Sequence, residues 1–386
     1  METILKHAQG LVYALLHLMP SSYQHASLSS LLGLFLEAQG HPFPQHCQTK
    51  SASALSRFLN HYDWSTRSVL RTTRPAVLYQ MAQHLPHSGS PLKVLIDLTT
   101  LPKCGKFLHL GDLNEPKETP NSWVRVLNGK RGLHVVMLYL VLGSWRVPWS
   151  FWIWHGKGTP RPPQLACKLL ARVPKTLTKR FCVIVLADTE FGTVEFLKAV
   201  QKRRWRAVVG MRCTRLMENG KPLKSLYRHG KRGQQVRLVG IDAPLTVSWF
   251  WLKRSEGKRE LRFVASTYPY SGAYLVQLGR QRWAIEGFFK TIKHRFGLHC
   301  FGQKTRLGIY RWLVLSLIAD LLACWVSQSF PSWCRLDWGE VSIKAVALLL
   351  PHVLWMKLLR QIQKNRSLAD ELGFEIIVKP LPFLPY

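Results

Sequence analysis

Acidic side chains are scarce in this chain. There are 21 Asp and Glu against 54 Lys and Arg, a formal net charge of +33 and a pI near 10.3. So large a surplus of cations implies an extended polyanionic partner. DNA or RNA fits best, because the basic residues run through every segment rather than collecting beside one apolar helix, as a membrane-surface protein would place them. Thiolate metal sites are missing from the pattern as well. The eight Cys, at 47, 104, 167, 182, 213, 300, 324 and 334, form no CxxC pair, which sets aside a zinc grouping and reads as reduced thiols in a cytosolic protein. Met1 to Met19 has no uninterrupted apolar core and no small-residue cleavage site, so no secretory signal is expected. The most membrane-like run, Trp312 to Trp325, is interrupted by Asp320 and reads as a buried core helix. Repeats of about 20–50 residues and low-complexity tracts are absent.

What is plentiful is core-forming material: 47% hydrophobic residues and 15 Trp in 386 residues. By a rule of about 100–200 residues per domain, that is a packed protein of two or three domains. Residues 1 to about 40 carry helical apolar clusters and end at His41-Pro42-Phe43-Pro44. Between Ser51 and Arg71 two short helices are expected around Asn60-His61-Tyr62-Asp63, capped by Ser51 or Ser53 and by Asp63 or Ser65. Arg67, Arg71 and Arg74 lie on or just past the second helix. A DNA-touching helix-turn-helix and a plain helical hairpin fit it equally.

A helix from Pro75 and a Gly-Ser-Pro linker lead to Leu92–Thr100, a short apolar strand expected to end in a carboxylate, Asp97. A charged loop from Lys103 to Asn121 follows, then two apolar runs joined near Gly143 as a hairpin. Gln164 to Arg172 reads as a helix. Phe181–Ala187 repeats the earlier signal, an apolar strand that runs into Asp188. Beyond it come a helix to about Arg203 and a short strand at Ala207–Gly210. Three strand-length pieces, Gln235–Ile241, Thr246–Leu252 and Leu261–Ser266, make 211–267 a β-rich block. The chain returns to helix from Tyr274, and Lys344–Lys364 is helical too.

Arg280 to Lys293 reads as one amphipathic helix. Ala284, Ile285, Phe288, Phe289 and Ile292 form an apolar stripe, and Arg282, Glu286, Lys290 and Lys293 lie three or four apart on an adjacent polar face. A salt-bridged surface accounts for that face as readily as a site does. Two further carboxylates change the weighing. Asp97 and Asp188 both follow apolar strands, and a carboxylate at the C-terminal edge of a sheet is poorly solvated and persists beside a cation or a metal. Asp188 alone reads equally as a helix N-cap. Two strand Asp and a helical Glu together suit Mg²⁺, which takes a few oxygen ligands plus phosphate oxygens. Two such ions about 3.5–4 Å apart support in-line phosphoryl transfer.

Ile96-Asp97, Ala187-Asp188 and Arg282-Trp283-Ala284-Ile285-Glu286, with Lys293 beyond, resemble the DDE transposases of bacterial insertion sequences, specifically the insertion-sequence-four superfamily. Its third motif, Tyr-x2-Arg-x3-Glu-x6-Lys, is met by Arg282, Glu286 and Lys293, while Gly279 stands at the tyrosine position. The resemblance covers roughly Leu92 to Leu298. It implies an α/β fold, an RNase H-like mixed-sheet catalytic core formed by 92–210 and 268–330. The block 211–267 becomes a β-rich insertion, residues 1–75 a helical DNA-binding region, and 331–386 a C-terminal helical region.

The same resemblance implies that Asp97, Asp188 and Glu286 are catalytic and hold Mg²⁺, with Mn²⁺ able to substitute. Arg282 and Lys293 would contact phosphates beside the scissile bond, the alternative being simple pairing with Glu286. Trp283 has two readings, stacking on an unpaired base or packing in the core. Lys290, outside the motif, reads as an ordinary basic residue. His134, on an expected strand, reads as a structural histidine or a neighbour of the metal centre. The implied activity is binding double-stranded DNA at the element's terminal inverted repeats, cutting it, and joining the 3′-hydroxyls to target DNA, as a synaptic homodimer in the bacterial cytoplasm. A nuclease of the same fold and an inactive DNA-binding regulator are the alternatives.

Overall fold

The computed structural model describes residues 2–83, 89–104, 123–253, 259–282, 284–303, 305–331 and 336–377. The chain forms two compact units, one of residues 77–293 with 304–306 and one of residues 1–76, 294–303 and 307–386.

The first unit is built on one mixed sheet. Its strands among the described residues are β1 (Leu92–Pro102), β2 (Arg125–Leu127), β3 (Lys130–Leu142), β4 (Trp145–Trp154), β5 (Val183–Ala187), β6 (Arg206–Met211), β7 (Gln234–Val236), β8 (Leu245–Lys253) and β9 (Arg259–Ser266). β1 is central: β3 lies antiparallel on one side of it and β5 parallel on the other. β4 folds back on β3 through Gly143, which takes the left-handed backbone (φ +59°) that a tight hairpin loop needs. β6 lies parallel to β5. The order β4-β3-β1-β5-β6 is the RNase H-like core that the resemblance implies, and every residue of β5 is buried, as a parallel strand covered on both faces should be. α5 (Pro162–Leu170) packs on β3 and β4, and α7 (Val194–Gln201) packs on β6.

The strands of the β-rich block join this same sheet. β9 pairs antiparallel with β6, and β8 with β9. α9 (Gly272–Gln281) packs across β6, β8 and β9. The strand expected at Gln235–Ile241 is shorter, ending at Val236, because the chain then leaves β8: Arg237 O accepts from Glu218 N (3.0 Å) and Leu238 bridges Met217.

The second unit is helical. α1 (Glu2–His17), α2 (Ser22–Glu37), α3 (Ala52–Asn60) and the first half of α4 (Thr66–Gln83) precede the sheet; α11 (Arg306–Ser329), α12 (Trp338–Leu349) and α13 (Pro351–Glu371) follow it. Ser51 caps α3 by accepting from Ala54 N (3.3 Å), and Ser65 accepts from Ser68 N (3.1 Å) at the start of α4. α4 continues through Pro75, where a new helix is expected to begin. The ring removes one backbone bond, while the Thr73 hydroxyl donates to Val69 O (2.8 Å) in the turn before it.

The turn between α3 and α4 is held by a buried guanidinium. Arg311 on α11 donates to Phe58 O (3.1 Å), Leu59 O (3.0 Å) and Trp64 O (2.6 Å), and lies 4.1 Å over the Trp64 ring, which stacks on Phe58. Burial lowers the Arg311 pKa to about 10 against the pull of Asp63, so it stays charged at neutral pH. It satisfies carbonyls at the α3 C-terminus that the helix leaves without partners.

α11 is long and apolar enough to cross a membrane, but most of it is buried inside the protein. Trp312 donates to Gly297 O (3.0 Å) with Phe35 against its ring, and Ser316 donates to Phe296 O (2.8 Å). Seven cysteines are free thiols; Cys334 lies outside the described residues.

Asp320 on α11 is buried, and burial pushes its carboxyl from the ordinary 3.8 up to about 7. Between those values the folded state keeps a proton that the unfolded state has released. Stability therefore falls by about 1.4 kcal/mol per pH unit as pH rises through the window. Asp320→Asn has no such proton and is expected to lack that slope; urea unfolding of both proteins at about pH 4.5 and about pH 7 checks it.

Candidate active site

The parallel register of β1 and β5 pairs Ile96 with Ala187. The next residues on the two strands are Asp97 and Asp188. Asp97 is not at the end of its strand as expected. β1 runs on to Pro102 because β3 stays paired with it, from Asp97 opposite Met137 to Pro102 opposite Gly132, whereas β5 stops at Ala187. Asp97 thus sits where β1 loses its parallel neighbour.

β5 stops because the chain turns at once. Asp188 accepts from Glu190 N (2.9 Å) and opens a 3₁₀ turn over Thr189–Phe191, so the N-cap reading of Asp188 is satisfied by one of its oxygens. Gly210 on β6 makes room for this turn. A Cβ there would come within 2.7 Å of Thr189 Oγ1, 2.8 Å of Thr189 N and 3.2 Å of the Asp188 carbonyl carbon.

The helix expected over 280–293 is two helices, α9 ending at Gln281 and α10 (Ala284–Phe296), with Arg282 between them. Ile285 N donates to Arg282 O (3.1 Å), a tightened turn that starts α10. Of the expected apolar stripe, Ile285, Phe288, Phe289 and Ile292 are buried, with the Phe288 ring 4.5 Å from that of Tyr139 on β3, while the Ala284 side chain lies outside what is described. Lys290 is exposed, as an ordinary basic residue would be.

Arg282 ties the acids together. Its Nη1 donates to Asp97 Oδ2 and its Nη2 to Glu286 Oε1, both at 3.1 Å. Asp97 also accepts from Leu98 N (2.8 Å). Burial and then the neighbouring Asp188 raise the Asp97 carboxyl, to about 7 against the opposing pull of Arg282. Burial raises Asp188 too, against the pull of Arg282. Glu286 is mostly in solvent, its side chain 60% exposed.

Lys293 donates to Thr100 O (2.9 Å), three residues beyond Asp97 on β1, and burial lowers its pKa. His134 is structural. Its Nδ1 meets the Thr100 hydroxyl (3.0 Å) and its Nε2 meets Arg125 O (3.0 Å), so both ring nitrogens are engaged. Trp283 lies outside the described residues. Gly279 points at the sheet, with an added Cβ 3.4 Å from Val264 and 3.5 Å from Phe250.

One carboxylate was not expected here. Glu190, two residues past Asp188, is half-buried, with its pKa raised by burial and by Asp188 and opposed by Arg212. The sequence offered only its spacing, Asp188-Thr189-Glu190.

Among the described residues no three His, Cys, Asp or Glu side chains are grouped to hold a metal ion. Asp97 and Asp188 stand side by side, and Glu286 is tied to the guanidinium instead. Two hard, poorly solvated carboxylates still fit Mg²⁺, which binds through one or two carboxylates and completes its shell with water and phosphate oxygens.

A protein-family model described as Transposase DDE domain matches residues 91–322. Among solved structures, the cryo-EM structure of a piggyBac transposase synaptic complex with hairpin DNA is similar at 14% sequence identity and a TM-score of 0.49, over 95% of this chain and 82% of that one. No curated protein matches.

The glycine geometry gives a paired prediction. Gly210→Ala is expected to press on the Asp188 turn and cost about 1–3 kcal/mol of stability. Gly287→Ala, exposed on α10 with open space around it, is expected to add about 0.5–1 kcal/mol. Urea unfolding of the two variants reads both signs.

Proposed function

Because the chain belongs to the Transposase DDE domain family, which implies nuclease or transferase chemistry on DNA, we propose that it cuts the ends of its own insertion sequence and joins the freed 3′-hydroxyls to target DNA. The observation that carries this reading is the pair Asp97 and Asp188, set side by side by strand register and poorly solvated.

In this reading Asp97, Asp188 and Glu286 are the catalytic carboxylates and hold Mg²⁺, with Mn²⁺ able to replace it. A divalent ion there supplies an activated water or 3′-hydroxyl and neutralises charge building on the phosphate. The chain's own residues do the rest. Asp97 and Asp188 fix the cation's place through a rigid sheet. Arg282, whose planar fork suits phosphate oxygens, and Lys293 neutralise the DNA backbone beside the scissile bond. Trp283 is next to Arg282 in sequence and belongs to the same DNA-contacting set.

The partner is double-stranded DNA, both the terminal inverted repeats and the target. Residues 1–75 grip the repeats, with Arg57, Arg67 and Arg71 exposed on α3 and α4. The surplus of 54 Lys and Arg over 21 Asp and Glu supplies sequence-independent affinity through counterion release. Two element ends must be processed together, and each chain carries one set of acids, so the working form is a homodimer on DNA. It acts in the bacterial cytoplasm, on the nucleoid.

The test is strand cleavage and joining on a plasmid carrying the DNA that flanks the protein's own gene, with Mg²⁺ and with Asp188→Ala beside the wild type. The expected outcome is loss of both products in the variant, by at least about 10³-fold, with DNA binding retained. Cutting without joining by the wild type would make it a nuclease. Binding without cutting by either protein would make it a regulator.

A further inference from the structure

The site contains a cation of its own. The Arg282 guanidinium spans from Asp97 to Glu286, 3.1 Å to each, and its side chain is only 14% exposed. This position has two consequences. A full positive charge lies against the poorly solvated Asp97, where a divalent ion would have to sit. Glu286 is also held on the guanidinium, and among the described residues no third acid joins Asp97 and Asp188 in a metal-holding group.

The guanidinium is placed to leave. Arg282 directly follows α9, where its N–H still bonds Leu278 O (3.2 Å) and its carbonyl accepts from Ile285 N (3.1 Å), so the side chain can swing while the backbone stays held. Its partner Glu286 is largely solvated, and a pair with one exposed member contributes little to stability. Its planar fork binds phosphate oxygens at least as well as carboxylates. A second cation, Lys293, is anchored at Thr100 on the same strand as Asp97 and remains when Arg282 moves.

We propose that Arg282 is an internal counter-ion that closes the acid site to divalent metal until a DNA phosphate draws the guanidinium away, so that metal and DNA bind cooperatively. The proposal rests on reading Asp97, Asp188 and Glu286 as the metal site. Before DNA arrives, Arg282 neutralises acids that would otherwise repel one another. Once DNA phosphate takes Arg282, Asp97 and Glu286 are both freed at the same moment. An enzyme that cuts DNA thereby avoids carrying a loaded metal site when no DNA is in place.

Mn²⁺ is the probe, its free concentration followed by electron paramagnetic resonance in titrations of the full chain. The proteins are wild type, Arg282→Gln and Arg282→Lys, with and without a duplex from the DNA flanking the gene, and with the Mn²⁺ taken up by duplex alone subtracted. Without DNA, Arg282→Gln is expected to bind Mn²⁺ about tenfold tighter than wild type, because a unit charge beside the ion is removed. Adding duplex is expected to tighten binding by wild type and leave Arg282→Gln nearly unchanged.

Arg282→Lys keeps the charge and is expected to stay within about threefold of wild type. Equal or weaker Mn²⁺ binding by a folded Arg282→Gln overturns the proposal, as does Arg282→Lys matching the Gln variant. Should Arg282→Gln fail to fold, tight DNA-independent Mn²⁺ binding by wild type overturns it. A separate control isolates the premise: Asp188→Asn should abolish the Mn²⁺ site in wild type with duplex, and if it does not, the metal-site reading fails rather than the role of Arg282.

Discussion

The structure of this site depends on one pairing register. Because Ile96 lies beside Ala187 in a parallel ladder, the next step along both strands brings two carboxylates together at a place that water reaches poorly. Two like charges in such a place are unfavourable by desolvation and by repulsion. The surroundings are arranged against that cost. Backbone N–H groups of Leu98 and Glu190 each donate to one acid, Arg282 supplies a full opposite charge, and β6 presents Gly210 where any side chain would push the Asp188 turn away. None of these groups would be needed if the acids did nothing but fold the protein, since apolar residues would fill the same positions at lower cost.

A second set of contacts fixes the helix that carries Glu286. α10 is seated on the sheet by its apolar stripe, with Phe288 against Tyr139, and is pinned two turns further on by Lys293 at the Thr100 carbonyl. Thr100 is itself held through its hydroxyl by His134, whose other ring nitrogen reaches Arg125 O. A chain of hydrogen bonds thus runs from β2 through β3 to β1 and on to α10. His134 acts on the site through position alone, and burial, which lowers its pKa, keeps it neutral and suited to that task.

Much of this was legible in the sequence, and the exceptions have physical causes. Apolar runs into Asp97 and Asp188 marked the strands, the helical period of Ile285, Phe288, Phe289 and Ile292 marked the buried face of α10, and Ser51 and Ser65 marked caps. Asp97 fell in mid-strand rather than at an end because the length of β1 is set by β3, about 40 residues away, and local pattern carries no information on a distant partner. The end of α9 has no Pro or Gly to announce it, and Arg282 beyond it still keeps helical dihedrals and a bond from its N–H to Leu278 O. Gly210 looked like the end of a short strand, and only the Asp188 turn lying over it shows why a side chain is excluded there.

Gly279 tests how far the resemblance can be carried residue by residue. At this position a side chain would press toward Val264 and Phe250, on the sheet side of α9. A tyrosine placed there by substitution would meet packed apolar side chains before it met DNA, unless α9 rotated or β8 and β9 gave way. The position therefore differs from the superfamily pattern in its surroundings as well as in its residue. Arg282 bonds Asp97 on β1 and Glu286 on α10, and Lys293 bonds Thr100 O on β1, so the three matched positions converge on β1 and the unmatched one stands outside them. That separation puts this chain's departure from the superfamily pattern on the sheet side of α9, away from Asp97 and Asp188.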